Sequence, residues 1–186
     1  SGALFPIADD VKLQVEWNPA TVAEYRLIGY ETRALAREDF SNDKVDAGEI
    51  GAGHTVTALY EITAPGSPAL RNAPLRYAVP AATGDDNGDG GTELGHLRLR
   101  YKAPGEDVSA LIETPIRAGQ QSDNPDARFA AAIAGFGQLL AGDKYLGGWG
   151  WDQAIALASD NRGEDAYGYR SEAVGLMRLA KALAGE

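Results

Sequence analysis

The sequence predicts an α+β protein in which an antiparallel β-sandwich-like domain of about six strands is followed by about three C-terminal helices. Over the first two-thirds of the 186 residues, apolar side chains recur at every second position, as in strands that bury one face. In the last third the period changes to that of amphipathic helices. No long crossover helix separates the predicted strands, which favours antiparallel pairing over a parallel sheet.

The clearest predicted strand covers residues 11–17, where Val, Leu, Val and Trp alternate with Lys, Gln and Glu. We expect its apolar face to be buried and its polar face to lie in water. Similar patterns predict strands at 25–30, 54–62, 96–101 and 109–116, and a shorter candidate at 75–78. The turn residues Ala103-Pro104-Gly105-Glu106 indicate that the last two long strands form an antiparallel hairpin.

Three helices are predicted after the strands. Asn124 followed by Pro125 is a helix-start signal, because proline at the first turn loses no hydrogen bond, and Gly142 is a stop signal. A shorter helix is predicted at 152–159 and a third at 169–183. The apolar face of the first helix consists of Phe129, Ile133, Phe136 and Leu140, and that of the third of Ala173, Leu176, Met177, Ala180 and Leu183.

Charge and composition exclude several classes of function. The 27 acidic and 17 basic residues give a net charge of −10, so phosphate backbones and anionic lipid surfaces would be repelled. We therefore expect no nucleic-acid partner, and without a run of about 18 apolar residues we expect no membrane insertion of this chain. The absence of cysteine from the sequence rules out disulfides, thiolate nucleophiles and cysteine-based zinc sites.

One acidic stretch resembles the start of a calcium-binding loop. Residues 85–90, Asp-Asp-Asn-Gly-Asp-Gly, place oxygen ligands at alternate positions before a glycine. The twelfth position counted from Asp85 is His96, where a calcium loop needs a bidentate glutamate. We expect a solvated acidic loop over 85–93 and leave calcium binding open.

A second group of carboxylates, Asp39, Asp43, Asp46 and Glu49, could bind a metal or act with His54 as acid and base. Loop carboxylates more often cap turns by accepting backbone N–H groups, so a structural role is expected. The glycines at 48–53 precede a predicted strand rather than a helix, which excludes a phosphate-binding loop. The sequence also lacks Gly-x-Ser-x-Gly and His-Glu-x-x-His. We assign no catalytic, cofactor-binding or metal-binding residue, and predict that the chain is not an enzyme.

Aromatic residues cluster near the predicted second helix, and Trp149, Trp151 and Tyr167 are the candidate interaction residues. Exposed rings would form a platform for a sugar or for a protein partner. Buried tryptophans would instead fill the ends of helices against the sheet, which is the hypothesis we favour. Solvent exposure of the two tryptophans distinguishes these hypotheses.

Three runs carry a resemblance to a known family. They are Val-Lys-Leu-Gln-Val-Glu-Trp-Asn-Pro at 11–19, Tyr-Arg-Leu-Ile-Gly-Tyr-Glu at 25–31, and Asp-Ala-Gly-Glu-Ile-Gly-Ala-Gly-His-Thr-Val-Thr-Ala-Leu-Tyr-Glu at 46–61. The chain resembles the uncharacterised C-terminal domain of bacterial von Willebrand factor type A (vWA) proteins, and Gly-Tyr-Arg-Ser-Glu at 168–172 extends the resemblance to the last helix. The vWA metal signature, Asp-x-Ser-x-Ser, does not occur in this sequence, so no family metal ligand is carried over.

The resemblance implies an organisation and a context. Residues 1–10 would be a linker or the last strand of an upstream vWA module, 11–118 the sandwich-like domain, and 119–186 a helical region packed on it. The parent protein would lie in the bacterial cell envelope. The expected function is that of a non-catalytic structural and protein-interaction module, with the upstream vWA module and an unknown protein as partners and no cofactor. The alternative is a glycan- or peptidoglycan-binding module that uses Trp149 and Trp151.

Overall fold

The computed structural model describes residues 5–29, 37–44, 48–73, 93–120, 123–142 and 146–185. The chain divides into two compact units, Ser1–Gln121 and Ser122–Glu186. The described part of the first unit contains antiparallel sheets and a short 3-10 helix, and that of the second contains three α-helices. The predicted α+β fold is therefore confirmed.

The described part of the first unit contains two sheets. The strands are β1 (Pro6–Trp17), β2 (Glu24–Leu27), β3 (Gly48–Gly51), β4 (Tyr60–Thr63), β5 (Glu93–Lys102) and β6 (Ala110–Arg117), and the 3-10 helix is Arg37–Ser41. Four strands form one sheet in the order β3-β1-β5-β6, and β2 pairs with β4 in the other. All four strand pairs are antiparallel.

The predicted hairpin is confirmed. β5 and β6 pair along their length, and the N–H of Glu106 donates to the carbonyl of Ala103 at 2.9 Å. Gly105 has a φ of 81°, a left-handed conformation that glycine adopts without steric cost. Pro104 and Gly105 thus supply the turn geometry that the sequence indicates.

Two predicted regions differ from the structure. The strand predicted at 54–62 is regular only in β4, because its partner β2 offers four residues for pairing. β3, which was not predicted, forms at Gly48–Gly51 by pairing with β1. The strand candidate at 75–78 and the possible calcium loop at 85–90 lie outside the described residues.

β1 contains a bulge. Asp9 pairs with Lys102 whereas Lys12 pairs with Arg100, so three steps along β1 correspond to two along β5. Within this bulge Asp10 has a φ of 53°, a left-handed conformation that aspartate adopts more readily than most residues. The extra residue turns the Asp10 side chain toward its neighbours on the sheet.

The strand register gives the four-stranded sheet one apolar and one basic face. Residues directly opposite each other on paired strands point to the same side. On one face Leu13 is opposite Leu99, which is opposite Ile112 on β6. The other face carries the cationic residues Lys12, Arg98, Arg100 and Lys102.

The second unit contains α1 (Pro125–Ala141), α2 (Trp151–Asp160) and α3 (Tyr169–Ala184). The ends of α1 are as predicted: the Asn124 side chain accepts the N–H of Asp126 at 2.9 Å, and Gly142 ends the helix with a φ of 64°. α2 packs against both α1 and α3. The core of the unit consists of Ala132, Ala158, Val174 and Met177. No helix within the described residues is long and apolar enough to cross a bilayer.

Candidate functional site

A buried lysine marks the basic face of the four-stranded sheet. Lys12 is 3% exposed, whereas the adjacent Leu13 on the apolar face is 44% exposed. The expectation that the apolar face of β1 is buried and its polar face hydrated is therefore wrong at these two positions. The reason is a segment distant in sequence that covers the basic face.

This covering segment, residues 37–44, includes the 3-10 helix and the turn after it. Phe40 is 4% exposed, and the Arg98 guanidinium carbon lies 5.7 Å from the centroid of its ring. The Lys12 ammonium donates to the carbonyl of Asn42 at 2.7 Å, and that of Lys102 to the carbonyl of Asp43 at 2.9 Å. One aromatic contact and two charged hydrogen bonds thus hold the covering segment on the sheet.

Asp10 lies at the centre of these contacts. Its carboxylate is 3.1 Å from the Lys12 ammonium and 3.0 Å from the Lys102 ammonium. The side chains of Asp10 and Lys12 are 6% and 1% exposed, so the pair is almost dehydrated. Buried charges require such compensation, and the bulge at Asp10 aims the carboxylate at both cations.

Asp43 extends this group to the covering segment. Its carboxylate accepts a hydrogen bond from the Ser109 hydroxyl at 2.5 Å and pairs with Arg100 at 3.0 Å. The Ser109 hydroxyl, followed by the charge of Arg100, holds the pKa of Asp43 below its ordinary value. The hydrogen bond to Asp10 raises the pKa of Lys102. We call these residues the Asp10 network: Asp10, Lys12, Asp43, Arg100, Lys102 and Ser109.

An open cleft of about 430 Å³ lies beside the Asp10 network. Its lining is mainly acidic and consists of Asp9, Asp10, Asp43, Lys44, Glu49, Lys102, Gly105, Glu106 and Asp107. In the part of the chain that the structure describes, no group of three or more histidine or acidic side chains is placed to hold a metal ion. The carboxylates of Asp10 and Asp43 are held by lysine, arginine and serine side chains of the network itself.

The carboxylates singled out in the sequence have different environments. Asp43 and Glu49 line the cleft, whereas His54 is exposed and donates its backbone N–H to Gly51. Asp39 accepts the backbone N–H of Asn42 through its carbonyl, and Asp46 lies outside the described residues. Asp10 and the two lysines were not predicted from the sequence. The available signal was the pair of adjacent acids, Asp9 and Asp10, which interrupts the alternation before residue 11.

The predicted aromatic cluster is divided between interior and surface. Trp151 is 8% exposed and meets Phe136 edge to face, with ring centroids 5.9 Å apart. Trp149 packs on α1 at Gly135, where an added Cβ would lie 2.7 Å from the indole Cε2. Tyr167 is 83% exposed and stacks on Tyr169 at a centroid distance of 5.9 Å. The two tryptophans are packed within the helical unit, which does not support a glycan platform built on them.

The run at 168–172 has a structural explanation in Arg170. Its guanidinium donates to the Asp126 carboxylate at 2.6 Å and to the Arg162 carbonyl at 3.1 Å, and lies 4.9 Å from the centroid of the Phe129 ring. The Asp165 carboxylate accepts the backbone N–H of Ser171 at 2.7 Å, and thereby caps the start of α3. Arg170 thus connects α1, the α2–α3 loop and α3.

These features define the class of the protein: an α+β chain in which two antiparallel sheets precede a unit of three helices. The family model described as "Uncharacterized protein YfbK, C-terminal" matches residues 2–183, and the chain belongs to this family. "Uncharacterized protein YfbK" of Escherichia coli (strain K12) is 44% identical over 177 residues. The match covers 95% of this chain and 30% of that relative, so the chain spans less than a third of its length. No solved structure gives a significant match.

Proposed function

We propose that this chain is a non-catalytic structural and protein-interaction module of a larger bacterial envelope protein, in which a vWA module precedes it. The observation that carries the proposal is the amount of apolar surface that the described residues leave in water. Leu13 and Ile112 are 44% and 48% exposed on the sheet, and Leu176, Leu179 and Leu183 are 54%, 56% and 80% exposed on α3. Concentrated apolar surface of this kind is typical of interaction sites.

The α3 leucines support the proposal because they form a second stripe. They recur at intervals of three and four residues, and therefore lie along one side of the helix. The residues that α3 buries in the core of its own unit, Val174 and Met177, lie on the opposite side, so the predicted face that grouped Met177 with Leu176 and Leu183 is wrong. One helix thus presents an apolar side to its own core and another to the surroundings, which is the arrangement expected for docking.

The length of the relative supports a module that works within a longer chain. The family is described as the C-terminal part of its protein, and the E. coli relative extends well beyond the matched region. The vWA identity of the preceding part and the envelope location are supported by the family resemblance of the runs at 11–19, 25–31 and 46–61. Fractionation of cells that produce the full-length parent tests the location, and recovery in the cytoplasmic fraction contradicts it.

The Asp10 network supports a non-catalytic role. A catalytic acid or base needs a proton that it can exchange with a substrate. Here Asp10 and Asp43 are held by cations and a hydroxyl of the same chain, and these contacts attach the covering segment to the sheet. The network therefore has a structural role, which is to hold the covering segment on the sheet.

The test compares partner binding by three forms of the parent protein: the full-length chain, the preceding part alone, and full-length protein with Leu176, Leu179 and Leu183 changed to Ser. Partners are captured from envelope extract and quantified against each form. We expect the full-length protein to bind its partner more tightly than either altered form. Equal binding by the full-length protein and the preceding part alone contradicts the proposal.

A further inference from the structure

Among the residues that the structure describes, the two sheets of the first unit meet at the Trp17 end of the apolar face. The indole of Trp17 lies 6.0 Å from the ring of Tyr25 on β2 and 5.5 Å from that of Tyr60 on β4, measured between centroids. Trp17 also packs over Gly95, where an added Cβ would lie 3.0 Å from the indole Cε3. The second sheet therefore covers the Trp17 end of the face, and the sandwich is not closed.

In the described part of the first unit, the opposite end of the same face is largely exposed. Leu13, Leu99 and Ile112 form a row across β1, β5 and β6, and we call these three residues the open row. Its outer members are about half exposed, at 44% and 48%. Along the same face the next row contains Val15, Leu97 and Thr114, so the uncovered area carries no ionisable side chain over two rows.

The basic face of the sheet is already covered around Lys12. The covering segment buries Phe40 and Lys12 there and is fixed by the Asp10 network. A further element could therefore pack on the four-stranded sheet at the open row without removing a charged side chain from water. Burial of such apolar surface is favourable by roughly 25 cal/mol per Å².

We infer that the part of the parent polypeptide preceding this chain packs on the open row and completes the sandwich. This inference rests on the proposed function. β1 carries Leu13 of the open row, and its first residue, Pro6, lies at the end of the strand away from Trp17. The polypeptide that precedes the region in the longer relative therefore enters β1 at the end of the sheet that the second sheet does not cover.

Charge argues for this occupant over a second copy of the chain. Each copy carries a net charge of −10, so self-association brings like charges together and is opposed by their repulsion. A preceding part that is covalently attached meets the open row at a high effective concentration, which favours docking without strong intrinsic affinity. The occupant should present an apolar ridge or strand face, because the open row offers no ionic partner.

Photo-crosslinking in the full-length parent protein tests the inference. A benzophenone amino acid replaces Ile112 in one form and Val56, which is 66% exposed and lies outside β6 and the open row, in a matched control. After irradiation, crosslinked peptides are identified by mass spectrometry. We expect position 112 to crosslink within the same polypeptide to the preceding part, with at least ten times the yield from position 56.

Other outcomes overturn the inference. Crosslinks from position 112 to residues 123–185 of the same chain, to a second copy or to a different protein show another occupant, and equal yields from positions 112 and 56 show no specific occupant. Each of these results leaves the comparison of partner binding by full-length and altered forms unaffected. Equal binding in that comparison would instead contradict the proposed function, even with an intramolecular crosslink at the open row.

Discussion

Lys12 and Asp10 are two residues apart on one strand, yet their side chains form a 3.1 Å ion pair that is almost completely removed from water. In a regular strand, residues i and i+2 point to the same face but their side chains run side by side. Here the bulge and the positive φ of Asp10 bring the carboxylate to the ammonium. Dehydration makes the pair sensitive to loss of either partner.

Asp10→Asn should destabilise the sheet by about 3 kcal/mol, because removing one partner of a buried ion pair leaves an uncompensated buried charge. Asparagine also tolerates the left-handed conformation, so this change tests the charge rather than the backbone. Hydrogen exchange of the β1 and β5 amides reports on the sheet separately from the helices. Glu16→Gln, at an exposed position of β1, is the control and should change stability by less than about 0.5 kcal/mol. Similar exchange rates in the two variants would show that the ion pair is not important.

The stability of the covering segment should depend on pH through Asp43. Its folded-state pKa lies below the ordinary value of 3.8, chiefly because of the Ser109 hydroxyl and then of Arg100. A lowered folded-state pKa gives a stabilising contribution that is present above the ordinary value and is lost as pH falls through the folded-state pKa. The unaltered chain should therefore be more stable than Asp43→Asn by a constant amount near pH 7. This difference should disappear as the pH falls below about 4.

Urea unfolding from pH 3 to pH 7 measures this difference. Ser109→Ala is the companion variant, because it removes the largest stabilising contact of the Asp43 carboxylate and keeps the carboxylate itself. Its Asp43 pKa should lie closer to the ordinary value, so the variant should be less stable near pH 7 and lose less stability on acidification. If the free energy of unfolding falls on acidification by the same amount in both variants as in the unaltered chain, the role assigned to Asp43 is contradicted.

Replacement of two glycines of α1 by alanine should change the stability in opposite directions. Gly135→Ala places a Cβ against the indole of Trp149, and the resulting overpacking should cost about 1 to 3 kcal/mol. Gly137→Ala has nothing within 4 Å, so the higher helix propensity of alanine should stabilise α1 by up to about 1 kcal/mol. Thermal unfolding of both variants gives the comparison. Stabilisation by both substitutions would show that Trp149 does not pack on Gly135.

Alanine substitutions at Trp151 and Tyr167 should also differ in their effect on stability. Trp151→Ala removes a buried ring that meets Phe136 and should destabilise the helical unit by about 3 to 5 kcal/mol. Tyr167→Ala removes an exposed ring and should change stability by less than about 0.5 kcal/mol. Urea unfolding by circular dichroism measures both. If Trp151→Ala unfolds like the parent chain, the ring is not part of the core and the glycan hypothesis regains support.

The sequence predicted elements whose determinants are local. The ends of α1 follow from Asn124 and Gly142, which provide their own capping geometry, and the β5–β6 hairpin follows from Pro104 and Gly105. β3 was missed because Gly48–Gly51 has little strand propensity and becomes regular by pairing with β1. The strand predicted at 54–62 was too long, because β2 pairs with only four of its residues.

The site was harder to predict than the fold. Alternation along β1 correctly separates Lys12 from Leu13, but it does not show which face another segment will cover. That choice depends on residues 37–44, about thirty positions later, and on the one-residue bulge that aims Asp10. Of the carboxylates identified in the sequence, Asp43 joins the network because Arg100 of β5 and Ser109, directly before β6, approach it.

The burial of Lys12 also has a chemical consequence. Only the unprotonated, solvent-accessible amine of lysine reacts with acylating reagents, and the Lys12 side chain is 1% exposed whereas Lys44 is an exposed residue. Lys44 should therefore be acylated rapidly in the folded protein, and Lys12 only during the moments when the covering segment leaves the sheet. The rate at which Lys12 is acylated thus reports how often residues 37–44 open locally.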